Sequence, residues 1–211
     1  MDAAEIGFAE SGHNGASVRS IASEAGVTPA MIAYYFKSKQ GLLDAVIKRR
    51  ADVINTARRS ALDNALTSAR PELVDIITAF LQPAMVIGTN EASGGYAYIK
   101  LLAVLGNSMD AVSQRVITDN FNGVAQLFIA AIKDAVSELT AEGAARGYLY
   151  AFSVAMAAMG NEWRISKLIS GGSAEHSASQ SIEDVVAFAC AGIQALARQT
   201  KEPPVVKKRS E

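Results

Sequence analysis

At 211 residues the chain can hold one or two domains around a sizeable core, and its 50% hydrophobic and 19% charged content is that of a globular protein rather than a disordered one. A formal net charge of −1 excludes any argument for nucleic acid from bulk charge, so a basic surface must come from placement. The longest nearly uncharged apolar run, 148–160, is shorter than the ~20 residues of a membrane-spanning helix, and the acidic start "MDAAEIGFAE" is unlike a secretory leader, so a cytoplasmic protein with no membrane partner is expected.

Apolar residues recur with the 3.6-residue period almost throughout and no stretch alternates with period two, which predicts an all-α fold. Asp2 to Ser11 reads as a helix with Ile6, Phe8 and Ala9 on its apolar side, stopping at "SGHNGAS" where two glycines supply turn conformations. Ser17 caps a second helix reaching about Ala25, with Val18, Ile21, Ala22 and Ala25 inward. Gly26 ends it, and Thr28 caps a third with Pro29 at its first position, ending around Phe36. Ser38 caps a fourth, "KQGLLDAVIKRRADVINTARRSAL", long enough to leave a small N-terminal unit and enter the next one, to about Ser60.

Arg70-Pro71 marks a further helix start, and Pro83 inside "LVDIITAFLQPAMVIG" predicts a kink or break. Loops are expected at 88–95 and 169–181. Between Asp110 and Leu139 the series Val112, Val116, Phe121, Val124, Phe128, Ile132, Ala135 and Leu139 predicts one long amphipathic helix. From about Thr140 to Ile169 a helix is apolar nearly all round, with Tyr148, Leu149, Phe152, Met156, Met159 and Trp163 on one side and Ala151, Ala155 and Ala158 on another, so it needs two partners. A last helix, about Ser181 to Gln199, shows Ile182, Val185, Ala189, Ile193 and Leu196 on one face, with Ser181 and Asp184 as a capping pair. The lone cysteine, Cys190, excludes an internal disulfide and reads as a small buried hydrophobe of this helix. The tail 201–211, with two prolines and no periodicity, is expected to be disordered.

A short helix, a turn of three or four residues containing Gly, and a second short helix make a helix-turn-helix, and Ser17 to Phe36 fits that plan. The second helix of such a pair enters the DNA major groove with its N-terminal residues toward the base edges. Thr28, Pro29, Ala30, Ala33 and Tyr34 would then face outward, while Ile32, Phe36 and Val27 face inward onto Ile6, Phe8 and Ile21. The run "FAESGHNGASVRSIASEAGVTPAMIAYYFKSKQGLLDAVI" resembles the TetR family of bacterial transcriptional regulators. It carries Phe8-Ala9-Glu10-x-Gly12, Ser17-Val18-Arg19-x-Ile21-Ala22, Ala25-Gly26-Val27 and Tyr35-Phe36-x-Ser38-Lys39-x-x-Leu42-Leu43, over roughly residues 3–50.

The resemblance implies an N-terminal three-helix helix-turn-helix DNA-binding domain (1–46) joined by a long helix to a larger helical ligand-binding and dimerisation domain (47–200). It implies DNA contacts at Ser17, Arg19, Thr28, Pro29, Ala30, Met31, Ala33, Tyr34, Tyr35 and Lys39. Arg19 can fork onto a guanine edge or a phosphate, or pair with Glu24; Lys39 and a tyrosine hydroxyl suit phosphate. Many members carry tyrosine at position 33 where this chain has Ala33, which points to Tyr34 for the phosphate contact and leaves Tyr35 partly core. Many also carry a basic extension before the first helix that is not found here.

The family plan further implies a homodimer through the last two helices, with the small-residue side of the 140–169 helix meeting the second subunit. It also implies a double-stranded DNA operator and a small effector held among the middle helices. Aromatic and methionine side chains at Phe80, Met85, Tyr96, Tyr98, Met109, Phe121, Phe128, Phe152, Met156, Met159 and Trp163 form the candidate lining, with Asn107, Arg115, Asn120 or Asn161 as polar anchors and a mainly hydrophobic effector as the expected guest. No cofactor or metal is expected and no catalytic residue is assigned: His13 and His176 lie far apart, and no zinc, phosphate-loop or dinucleotide motif occurs. The expected function is a ligand-released repressor. The alternatives are a helical dimer without specific DNA binding and a small helical enzyme.

Overall fold

The computed structural model describes residues 1–89, 94–169 and 178–199, and every regular element among them is an α-helix. In chain order these are α1 (Asp2–Gly15), α2 (Val18–Glu24), α3 (Pro29–Phe36), α4 (Lys39–Ala65), α5 (Leu73–Gly88), α6 (Gly95–Gly106), α7 (Ala111–Ala135), α8 (Ala141–Leu168) and α9 (Ala178–Gln199). Most of the two expected loops and the expected disordered tail lie outside the described residues. No helix among the described residues is long and apolar enough to cross a membrane.

Helix starts follow side-chain chemistry. The hydroxyls of Ser17, Thr28, Ser38 and Thr140 accept from the backbone N–H three residues on, at 3.4, 3.2, 3.0 and 2.9 Å. Each satisfies an N–H that the first turn leaves without a partner. The Asp110 carboxylate does the same for Ser113 N at 3.0 Å and also accepts from the Ser108 and Ser113 hydroxyls, which together hold its pKa well below the usual carboxylate range. At α9 the expected cap is corrected: the helix already runs from Ala178, so Ser181 sits inside its first turn.

Three other expectations change. Gly12 turns to φ 64°, ψ 179°, a conformation open to a residue without Cβ, and α1 kinks there and resumes to Gly15 instead of stopping. Pro83 does not break α5, which continues to Gly88. The single helix expected over 110–139 ends at Ala135, where Val136 leaves the helical conformation (φ −124°, ψ 80°). Leu139 keeps its place in the core from the turn, so the apolar period runs on past the helix that made it.

Two apolar clusters form among the described residues. One joins Phe8, Ile21, Ile32, Leu42, Leu43, Val46 and Ile47 of the first four helices to Tyr98, Leu101, Leu102 and Leu105 of α6 and to Val116 and Phe121 of α7. The other packs Ile76, Ile77, Phe80 and Leu81 of α5 with Val124, Phe128 and Ile132 of α7, Tyr148, Ala151 and Ala155 of α8, and Val185, Ala189 and Ile193 of α9. Ala151 and Ala155 are thus buried within the chain, which corrects the expectation that this small-residue side of α8 is left for a second subunit.

The expected Ile6 contact is also corrected: Ile6 is exposed, and Glu5 takes the buried place beside it. Glu5 can do so because Arg49 and Arg50 of α4 reach its carboxylate, with Arg49 Nη2 at 2.7 Å and Arg50 Nε and Nη2 each at 2.9 Å. A buried carboxylate needs such partners, and these clamp α1 onto the long helix.

Candidate functional site

The α2–α3 pair turns tightly at Gly26, whose φ of 64° admits the reversal, with Gly26 N donating to Ser23 O at 3.1 Å and Val27 N to Ala22 O at 2.9 Å. Ile32 is buried, and Val27 and Phe36 pack half-buried on the same cluster. That inward anchoring leaves Thr28, Pro29, Ala30, Met31, Ala33, Tyr34 and Tyr35 exposed on α3, as Ser17 and Arg19 are on α2. Tyr34 is 71% exposed and Tyr35 68%, their rings meeting edge to face at 5.2 Å. Tyr35 is therefore not part of the core, because Phe36 takes the inner position one residue on. Arg19 forms no ion pair with Glu24 or with any other described acid, which leaves its guanidinium available.

Lys39 is placed differently from the expectation of a free phosphate contact. Its ammonium turns back onto the α1–α2 connection and donates to Ala16 O at 3.0 Å and Asn14 O at 3.3 Å, so one of its three N–H donors remains for an outside acceptor. Lys37, which sequence reasoning passed over, stands at the exposed C-terminal end of α3 in the left-handed region (φ 66°). Its Nζ donates to Tyr34 O at 2.8 Å and lies 5.3 Å from the centre of the Tyr34 ring. The signal available was a cation in the position that suits the negative end of a helix.

A second candidate lies deeper. A cavity of about 430 Å³ opens between α4, α6, α7 and α8, lined by Arg58, Leu102, Ala103, Gly106, Asn107, Ile117, Phe121, Asn122, Ala125, Tyr148, Leu149, Phe152, Ser153, Met156 and Ala157. Of the expected lining, Phe121, Phe152 and Met156 are on this wall, as is Asn107 of the expected anchors. Phe80, Phe128 and Met85 are fully buried behind it; Phe80 stacks on Tyr148 at 4.3 Å and meets Phe128 at 5.2 Å. Met159 packs near Gly88 and is off the wall.

Tyr98 belongs to the other cluster, fully buried, its hydroxyl donating to Ile47 O at 3.3 Å and its pKa pushed up by burial. Tyr96 is exposed and Met109 is 87% exposed, so both are corrections: they face solvent from the start of α6 and from the α6–α7 turn. The side chain of Trp163 lies outside the described residues. Three expected anchors are engaged elsewhere. Arg115 pairs with Asp44 of α4 at 2.6 Å and Asp119 at 2.9 Å, Asn120 donates to Val116 O at 2.8 Å, and Asn161 donates to Ala157 O at 2.8 Å. Cys190 is half-buried and its thiol is pushed up to about 11 by burial, which keeps it protonated at neutral pH.

Arg58, Tyr148, Asn122 and Ser153 are wall residues that sequence reasoning did not assign. Arg58 is the least expected: an arginine inside "NTARRSAL" reads as a solvated helix face, yet its side chain turns inward toward α5.

Two family models match the chain: one for bacterial regulatory proteins of the tetR family over residues 1–46, and one for a tetracyclin repressor-like C-terminal domain over residues 78–192. No curated protein matches in sequence. A protein assigned as a transcriptional regulator from Pseudomonas aeruginosa PAO1 is similar in structure at 18% identity, with 95% of this chain and 91% of that chain covered and a TM-score of 0.58, which shows a shared fold. A TetR-family protein from Rhodococcus sp. matches at 18% identity over 90% of this chain and 94% of its own, with a TM-score of 0.49. One from Mesorhizobium loti MAFF303099 matches at 17% over 93% and 92%, with the same TM-score.

Proposed function

This chain belongs to the TetR family of bacterial regulatory proteins, a family of DNA-binding transcriptional regulators, and on that premise we propose that it is a ligand-released repressor acting as a homodimer on a pseudo-palindromic operator. In this reading residues 1–46 read DNA, and residues 47–200 bind the effector and dimerise. The observation that carries it is the solvent face of α3: a capped helix start, small side chains at Ala30 and Ala33 that permit close approach to a groove, and two exposed tyrosines with Lys37 beside them. A face of that composition has no partner among the described residues, whereas phosphate and base edges suit it.

Dimerisation is supported by what α8 and α9 leave outside. Tyr150 and Leu168 of α8 and Phe188 of α9, the last 68% exposed, present large apolar surface on helices whose other faces are already packed. Exposed apolar side chains of that size on the last two helices suit a twofold contact in which the same residues meet their copies.

Release would work by population shift. Helix α6 lines the cavity with Leu102, Ala103 and Gly106, while Val104 on another side approaches Gly12 of α1. Arg115 ties α7 to Asp44 near the start of α4, and that pairing raises the guanidinium pKa. A guest that spreads these helices favours an arrangement whose two recognition helices no longer match groove spacing of about 34 Å.

The test is fluorescence anisotropy of the chain on its own upstream intergenic DNA, at two salt concentrations, with an unrelated duplex as control. Saturable binding that prefers the intergenic DNA and weakens with salt is expected, together with a dimer mass in sedimentation. Equal affinity for both duplexes would remove the operator reading and leave a helical dimer. Arg19→Ala should alter preference between operator variants if it reads a base; an equal loss on every duplex would make it a phosphate contact.

A further inference from the structure

Arg58 is 3% exposed, and one face of it forms part of the cavity wall. Its Nε donates to Phe80 O at 2.8 Å, and the guanidinium lies over the Phe80 ring, 4.6 Å from its centre. Pro83 lies in the same stretch of α5 and has no N–H for Ala79 O, so this turn has one backbone hydrogen bond fewer, and the donor from α4 adds a bond beside that gap. That does not explain the charge. A glutamine could donate to that carbonyl without burying a cation, and a leucine or methionine would fill the space at less desolvation cost.

No acid offsets Arg58 among the described residues. The groups that bear on it electrostatically are the phenols of Tyr148 and Tyr98, whose own pKa values burial pushes up, so they stay neutral at ordinary pH. Guanidinium carries five N–H donors, and the Phe80 bond uses one. The cavity therefore has a charged donor group set into a mainly apolar wall that includes Leu102, Ile117, Phe121, Phe152 and Met156, with the Tyr148 hydroxyl and the exposed Asn107, Asn122 and Ser153 as its other side-chain polar groups.

We infer that this cavity takes an organic monoanion, a carboxylate carried on an apolar body, with Arg58 as its counter-charge. The planar fork of a guanidinium matches the two oxygens of a carboxylate. One cation balances one negative charge, while a phosphate dianion would bring a second into a carbon-lined space. The volume of about 430 Å³ lies within the range of pockets that hold small organic molecules. The inference rests on the cavity being the effector site of the proposed repressor, and it narrows the expected hydrophobic effector to an acid.

The test is calorimetric titration of the full chain, without DNA, using decanoate, decanamide and decyl phosphate, and a naphthalene carboxylate with its amide as a flat pair. Each acid should bind more tightly than its amide by about ten- to hundred-fold, the worth of a charge-assisted hydrogen bond. In the wild type that advantage should vanish as pH falls through the ligand's own carboxyl pKa. In Arg58→Met it should vanish at every pH while the amide affinity is kept. Arg58→Gln, which retains a donor for Phe80 O, should also lose the preference and guards against a folding defect in the first variant.

The proposal is overturned if amide and acid bind alike to the wild type, if Arg58→Met keeps the preference, if decyl phosphate binds more tightly than decanoate, or if no probe binds at millimolar concentration. Anisotropy on operator DNA separates this from the repressor reading. Acids that bind through Arg58 without releasing DNA leave the anion site standing and sink ligand release. Release by neutral compounds alone does the reverse.

Discussion

The solvent face of α3 and the cavity between α4, α6, α7 and α8 differ in how far apart their parts lie in the chain. On α3 the cap, the proline, two inward anchors and the exposed residues between them all fall within Thr28 to Phe36, so the period of one helix decides which side chains face DNA. The cavity draws on residues from Arg58 to Ala157, and its wall depends on how four helices cross. Phe121 and Phe128 are two turns apart on the same side of α7, yet one lines the cavity and the other is sealed behind it. Seven residues carry a helix about 10 Å along its axis, which is enough to pass from cavity to core. Local periodicity finds the side of a helix but not the depth at which a neighbouring helix covers it.

The largest expected effect comes from removing the ring buried behind the cavity wall. Phe80→Ala deletes a fully buried side chain that stacks on Tyr148, meets Phe128 and lies under the Arg58 guanidinium. It should cost about 3–5 kcal/mol of stability, read by thermal or denaturant unfolding. At a temperature where the variant is still folded, DNA affinity should be retained, because nothing on α3 has changed. A loss of affinity as large as the loss of stability would show the two regions to be one cooperative unit.

The converse change is Ala33→Glu. It puts a carboxylate at an exposed position of α3 where a phosphate or base edge is expected, and like charges brought together cost several kcal/mol. Operator binding should fall by more than a hundred-fold with the melting temperature unchanged, since Ala33 is exposed. Retained binding would mean that another surface reads the DNA.

Legibility followed the same division. The caps at Ser17, Thr28 and Ser38 were readable because each is a contact between a side chain and a backbone group three residues away. The break after Ala135 was hidden because Leu139 keeps the apolar period while leaving the helix. The exposure of Ile6 and burial of Glu5 were hidden because the partners that make the burial tolerable, Arg49 and Arg50, come from a helix about 45 residues on. Arg58 combines both difficulties: it sits in a stretch that reads as a solvated helix face, and its partner is a backbone carbonyl of α5, 22 residues on.

Lys39 tests where the reading face ends. Its ammonium already serves Ala16 O and Asn14 O, so Lys39→Ala should lower stability by about 1–2 kcal/mol, a loss that a purely DNA-facing lysine would not produce. DNA binding should weaken to a similar extent on every sequence. If the third donor also reaches phosphate, the slope of log affinity against log salt should become shallower by about one unit. An unchanged melting temperature would contradict the inward hydrogen bonds and return Lys39 to the DNA-facing set.

The smallest effects belong to the paired tyrosines, and they sharpen the reading face most. Both rings are exposed and touch each other edge to face, so removing either hydroxyl should leave stability unchanged. Tyr34 has Lys37 beside its ring and its carbonyl bound to that lysine, which holds positive charge at that end of α3. A phosphate drawn there would meet the Tyr34 hydroxyl in a favourable field, whereas Tyr35 lacks such a neighbour among the described contacts. Tyr34→Phe should therefore cost about 0.5–1.5 kcal/mol of operator affinity, the net worth of one hydrogen bond, and Tyr35→Phe less. The opposite order, measured by anisotropy at one salt concentration, would move the phosphate contact one residue along the helix and make Lys37 a support for the turn alone.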